Sequence, residues 1–168
     1  MTTRVSTERM ITFLLTTPMF ENLAPNQIRN LTHIVDVIEY QPGEVLFNEG
    51  DIGDAWFALY RGKVDVIKST EAEDKEIDPL EQGACFGEIA ILDGEPRSAT
   101  IRAVEESIVF RISRTAFEEL LEQDCAAASQ LLHQMAVMLA RRARLTTERL
   151  SELVREAELK HGVTQIVG

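Results

Sequence analysis

Between residues 34 and 113 the chain is cut into short β-rich runs, at 34–40, 45–47, 56–60, 63–68, 75–80, 99–103 and 108–112. No run is long enough for a large open sheet, and strands punctuated this often close into a sandwich or roll. The separators carry turn chemistry: Gln41-Pro42-Gly43, Asn48-Glu49-Gly50-Asp51, Gly53-Asp54 and Arg61-Gly62. Gly supplies positive φ there, and Asn or Asp tolerates it. Val64-Asp65-Val66 alternates, which predicts a strand with one face inward and one outward. Residues 69–74 read as the solvated, charged tip of a hairpin.

Helical periodicity brackets this region. Met10, Ile11, Leu14 and Leu15 recur at helical spacing until Pro18 ends the run, and Pro25 suits the first turn of a second helix carrying Ile28 and Leu31. Together they predict a helical cap over 1–33. After 113, Ser113 or Thr115 is placed to cap a helix reaching Glu122, and Asp124 to cap another of about 35 residues. Along that last helix Leu132, Ala136, Leu139, Ala143, Thr146, Leu150, Leu153 and Ala157 follow the alternating steps of a coiled-coil seam. A stripe this long exceeds what a roll of that size covers, so the expectation is a homodimer through the 126–160 helix. The other reading is one long helix lying alone across its own roll. The expected organisation is thus a cap (1–33), a roll (34–113), C-terminal helices (114–160) and a tail (161–168).

With 168 residues and a formal net charge of −11, the chain suits one compact domain plus an appendage and repels nucleic acid and anionic membrane surfaces. No DNA binding and no membrane association are expected. Arg141, Arg142 and Arg144 are followed by Glu148, Glu152, Glu156 and Glu158, which reads as a solvated helix face. Cys85 and Cys125 lack CxxC spacing and read as reduced core thiols. His33, His133 and His161 form no ligating pair, which disfavours a metalloenzyme on a roll. With no signal peptide and no long apolar run in the sequence, the expected location is cytoplasmic.

The chemistry concentrates in a cassette at 86–99, within Gly83-Ala84-Cys85-Phe86-Gly87-Glu88-Ile89-Ala90-Ile91-Leu92-Asp93-Gly94-Glu95-Pro96-Arg97-Ser98-Ala99-Thr100. Gly87 permits close backbone approach to a ligand, and residues 88–92 suit one helical turn with amides pointing one way. Arg97, after a Gly-Glu-Pro turn, offers a planar fork to a phosphate. Glu88 accepts only, so its natural partner beside a phosphate is a hydroxyl. A ligand with both groups on one ring is a cyclic nucleotide. The alternative is a Glu88–Arg97 salt bridge inside a ligand-free roll.

This cassette resembles the signature of the cyclic-nucleotide-binding domain family, and the stretches 40–47 and 50–57 resemble that family's first strands and tight loop. The resemblance implies an α+β fold: a double-stranded β-helix, or jelly-roll-like β-roll, with N-terminal helices, a long C-terminal dimerisation helix and no catalysis. It also implies roles by position. Glu88 would meet the ribose hydroxyl and Arg97 the cyclic phosphate. Gly87, Ile89 and Ala90 would supply backbone contacts, with Ser98 and Ala99 beside the phosphate. Val66 and Ile77 fall where the family packs apolar side chains on the base, and Ile91 matches the residue that moves with the hinge. No covalently bound cofactor is implied.

The segment 140–150 is similar to the dimer helix of the family's bacterial catabolite activators. By that likeness Thr146 and Thr147 would reach the adenine amino group from both subunits, which favours cAMP over cGMP, while Arg142 would pair with Glu88. A seam threonine costs stability unless its hydroxyl is satisfied, and bonding back to its own helix is the alternative. Ser98 complicates the choice, because a hydroxyl there assists a syn guanine. The catabolite activators continue into a helix-turn-helix and this sequence does not, so the output is expected to pass to a separate, unidentified protein effector or to a neighbouring domain outside this sequence. A ligand-free dimerisation scaffold of the same fold is the competing reading.

Overall fold

A computed structural model describes residues 5–69, 74–77 and 79–164. The first helical periodicity forms α1 (Thr7–Thr16), capped where the Ser6 hydroxyl accepts the Arg9 amide, and it buries Met10, Phe13 and Leu14. A single 3-10 turn (Pro18–Phe20) leads to α2 (Pro25–Ile34), where Pro25 occupies the first turn and the Gln27 side chain accepts the Ala24 amide at 2.9 Å. Ile28 and Leu31 are its buried face.

Among the described residues nine strands follow, all paired antiparallel: β1 (Val35–Tyr40), β2 (Val45–Phe47), β3 (Ala55–Arg61), β4 (Lys63–Ser69), β5 (Asp74–Glu76), β6 (Leu80–Glu81), β7 (Cys85–Phe86), β8 (Thr100–Ala103) and β9 (Ser107–Ser113). One sheet runs β1-β9-β3-β7, and the other runs β2-β8-β4-β5 with β6 also paired to β4. The apolar faces meet in one core of Ala55, Phe57, Leu59, Val64, Phe86, Ile101 and Val109, drawn from both sheets. This is an α+β fold whose sheets close as a jelly-roll-like β-roll.

The strand region departs from expectation. The run 75–80 is two short strands, β5 and β6, each paired to β4; its expected hairpin tip at 70–73 lies outside the described residues. β7 carries no sequence signal, because two residues between Ala84 and Gly87 are too few to display a period. On β4, Val64 is buried, but Ile67 on the opposite face is buried as well, so the strand has no purely solvent face.

α4 (Arg114–Gln123) is capped by Ser113, whose hydroxyl accepts the Ala116 amide at 3.1 Å. α5 (Cys125–Thr164) is 40 residues long, and the Asp124 carboxylate accepts the Ala127 amide at its start. Cys85 is buried as expected, whereas Cys125, the first residue of α5, is exposed and is not a core thiol. The chain divides between Leu131 and Leu132 into two compact units. The second is the remainder of α5, on which Leu145, Leu150, Leu153, Val154 and Leu159 are each at least half exposed. Among the described residues no helix is long and apolar enough to cross a membrane. Of the expected tail 161–168, residues 161–164 instead continue α5, and residues 165–168 lie outside the described residues.

Candidate functional site

The cassette is built around one glycine. β7 ends at Gly87, whose φ of +78° turns the chain into α3 (Glu88–Asp93), and Gly94 at φ +76° turns it out again. At Gly87 the geometry excludes a side chain twice over. The backbone is left-handed, and a Cβ would stand 2.8 Å from Arg97 Nη1 and 3.2 Å from Phe57 Cδ2. A Cβ at Gly53 would collide with the Ala90 side chain, so the β2–β3 loop presses directly on α3.

Arg97 is the centre of the arrangement. Its Nη1 donates to the Gly87 carbonyl at 2.7 Å and its Nη2 to the Ala55 carbonyl at 2.6 Å. The guanidinium lies 4.2 Å from the centroid of the Phe47 ring, which stacks on Phe57, which stacks on Phe86. The side chain is only 2% exposed, and Asp54 approaches it at 3.6 Å from a largely solvated position. Burial lowers its pKa below the usual guanidinium value, and Asp54 opposes the shift. Its Nε is buried without a hydrogen-bond partner among the described residues. A desolvated cation holding an unused donor is a natural seat for an anion.

Around it, Glu88 is fully buried, and Ala90 and Ile91 are buried on the inner side of α3. Ile89 is exposed, as is Ser98, and Ala99 is half-buried. Val66 is half-buried against the core, and the Ile77 amide donates to the Val66 carbonyl at 2.8 Å, which places these two expected base contacts side by side. Ile77 itself is 55% exposed. Thus Glu88, Ala90 and Arg97 are each buried and Gly87 is half-buried with its carbonyl on Arg97, while Ile89 and Ser98 face solvent.

Arg142, Thr146 and Thr147 belong to the helical unit. There the Thr146 hydroxyl donates to the Arg142 carbonyl at 2.9 Å and the Thr147 hydroxyl to the Ala143 carbonyl at 3.0 Å. Bonding back to the helix therefore satisfies both hydroxyls within this single chain.

Several site residues were invisible to sequence reasoning. Arg114, the first residue of α4, donates to the carbonyls of Ala90 (2.7 Å), Gly53 (3.0 Å) and Ile91 (3.3 Å), while its amide donates to the Asp54 carbonyl at 2.7 Å. A cation at the last carbonyls of α3 suits the helix dipole and ties the cassette to the next helix. Asp54 also accepts from Arg111 at 2.7 Å, linking Arg97 to β9. Phe47 beneath Arg97 carries only a strand signal in the sequence. None of these had a sequence signal, because each depends on contacts between distant segments.

The loops flanking Arg97 are laced together. The Gly50 amide donates to the Arg97 carbonyl (2.9 Å), the Arg97 amide to the Asp51 carbonyl (2.8 Å), and the Glu49 amide to the Thr100 hydroxyl (2.8 Å). Lys68 donates to the Ser98 carbonyl at 2.9 Å and pairs with Glu49. The Lys68 hydrogen bond and the Ser69 amide hold the Glu49 carboxyl below its usual pKa. Away from this site a cleft of about 430 Å³ lies between α2 and α4, bordered by His33, Glu119 and Asp124. Among the described residues no three His, Cys, Asp or Glu side chains form a metal-ligating group.

A family model described as the cyclic nucleotide-binding domain matches residues 37–124. The cAMP-dependent protein kinase regulatory subunit of Emericella nidulans is 33% identical over 109 residues, covering 65% of this chain and 26% of that protein. The cGMP-dependent protein kinase of Eimeria tenella is 37% identical over 109 residues, covering 65% of this chain and 10% of that protein. This chain thus spans about a quarter or less of these relatives. A cyclic nucleotide-binding domain from Methylobacillus flagellatus superposes with a TM-score of 0.76 at 26% identity, covering 85% of this chain and 81% of that one.

Proposed function

Because the chain belongs to the cyclic-nucleotide-binding domain family, we propose that it is a cAMP receptor whose cassette closes on the ligand and signals to a separate effector protein. The observation that carries this reading is the buried Arg97, held between the Gly87 and Ala55 carbonyls with its Nε unused. In that reading Arg97 takes the cyclic phosphate and Glu88 the ribose hydroxyl. The amides of Gly87, Ile89 and Ala90 face the phosphate, with Ser98 and Ala99 at its side, and Val66 and Ile77 pack on the base.

Arg114 gives closure a route outward, since movement of α3 must carry or break its bonds to the start of α4. The reading assigns no catalysis to the chain. It places the protein in a reducing, cytoplasmic compartment. The preference for cAMP over cGMP rests on Thr146 and Thr147 as adenine contacts from a paired helix, with Arg142 beside Glu88. The exposed leucines of α5 support a homodimer through 126–160.

Titration with cAMP and cGMP, read by calorimetry and by melting temperature, tests the proposal. A ligand bound only by the native state at one hundred times its dissociation constant adds about 2.7 kcal/mol, and cAMP is expected to give the larger rise. Arg97→Lys keeps the charge and loses the fork, so it is expected to weaken binding more than tenfold, at about 1.5 to 3 kcal/mol for a charge-assisted pair. If neither nucleotide at millimolar concentration moves the melting curve, the chain is a ligand-free scaffold of the same fold.

A further inference from the structure

We infer that Lys68 and Glu49 form an ionic clasp that holds the Arg97-Ser98 segment in its binding geometry, making Lys68 a positioning residue for the ligand rather than a ligand contact. The inference rests on the reading of Arg97 as the phosphate seat. Three separate segments meet at the clasp: Glu49 in the β2–β3 loop, Lys68 near the end of β4, and Ser98 directly after Arg97. Lys68 Nζ bridges the other two segments, pairing with the Glu49 carboxylate and donating to the Ser98 carbonyl at 2.9 Å. The other Glu49 oxygen accepts the Ser69 amide at 3.1 Å, so the carboxylate is held from both sides of the Lys68–Ser69 peptide.

One residue along each loop, the Gly50 amide to Arg97 carbonyl bond and the Arg97 amide to Asp51 carbonyl bond fix the backbone on which Arg97 stands. The clasp is half exposed, with Lys68 at 45% and Glu49 at 27%, whereas the Arg97 side chain it positions is 2% exposed. A pair at the surface thus governs a cation in the interior through Ser98 and the loop. Lys68 is already committed to two acceptors, and Glu49 offsets its charge, so its contribution to an incoming anion is orientation of neighbouring backbone and not net potential.

That distinction gives opposite signs in experiment. A clasp predicts that Lys68→Met and Glu49→Gln each weaken cAMP binding by about three- to fivefold, the range of a partly exposed ion pair, mainly through faster dissociation. The double variant is expected to be no worse than either single one. If Lys68 instead served the phosphate as a free charge, Glu49→Gln would remove a nearby negative charge and tighten binding. Both substitutions preserve chain length and sit at accessible positions, and melting curves check that each variant folds.

Hydrogen exchange on the ligand-free full chain provides a readout that needs no nucleotide: the Gly50 and Arg97 amides are expected to exchange about three- to fivefold faster in Lys68→Met, with the core strands unchanged. Unchanged exchange at those two amides overturns the clasp, and so does tighter binding by Glu49→Gln. Faster exchange with unaltered cAMP dissociation overturns the positioning role. A wild type that binds neither nucleotide sinks the receptor reading and the positioning role together, while the exchange arm still judges the clasp.

Discussion

At residue scale the site depends on one position where no side chain fits and one cation that burial has stripped of water. Gly87→Ala places a Cβ in a left-handed backbone at φ +78° and against Arg97 Nη1. The conformational part alone costs about 1 to 2 kcal/mol. The expected outcome is a lower melting temperature together with weaker cAMP binding, because Arg97 must shift to admit the methyl group. Gly43→Ala is the matched control, with a similar φ of +87° and nothing within 4 Å of the added carbon. If both variants lose stability equally and bind cAMP equally, contact between Gly87 and Arg97 is irrelevant to the ligand.

At the scale of elements, α3 is too short to be stable by itself and is held in place from outside. Gly53 meets it on one side, and the Arg114 guanidinium gathers the Ala90 and Ile91 carbonyls together with that of Gly53. Arg114→Met keeps the aliphatic stem but leaves those carbonyls without their cation. The expected loss is about 2 to 3 kcal/mol of stability, since hydrogen bonds from a charged group are worth more than neutral ones and the site is partly buried. Denaturant unfolding measures that loss. In the same variant the amides of α3 are expected to exchange faster than those of β3, and equal rates would show that α3 is anchored by its apolar face alone.

For the whole molecule the telling feature is a 40-residue helix carrying leucines that its own chain leaves exposed, with Leu150 at 60% and Leu153 at 62%. If α5 pairs with a second copy as proposed, each leucine buried there contributes about 1.5 to 3 kcal/mol. Leu150→Glu puts like charges into that seam and is expected to give a monomer by sedimentation, with the β-roll intact by circular dichroism. If Thr146 and Thr147 of one copy reach the other copy's nucleotide, linkage requires the monomer to bind cAMP more weakly by the factor by which cAMP tightens the dimer. A monomeric Leu150→Glu with undiminished affinity removes the shared contact and leaves Thr146 and Thr147 bonded to their own helix.

What was legible in the sequence was whatever nearest neighbours decide. The turn residues partition 34–113 into strands, the 3.6-residue period marks α1, α2, α4 and α5, and Ser113 and Asp124 stand at helix starts because a short oxygen-bearing side chain satisfies free amides locally. The run from Gly87 to Arg97 likewise marked the cassette, since positive φ and a planar cation are properties of single residues. Only the tertiary structure decided that Arg97 lies on Phe47 and donates to Ala55, that Arg114 reaches back to Ala90, and that Lys68 meets both Glu49 and Ser98. These pairings join segments 19 to 50 positions apart in the chain, as in the 30 residues between Lys68 and Ser98. No local rule encodes them. They exist because closing two sheets over one core brings distant loops to the same edge, where buried carbonyls must find donors and a buried cation must find acceptors.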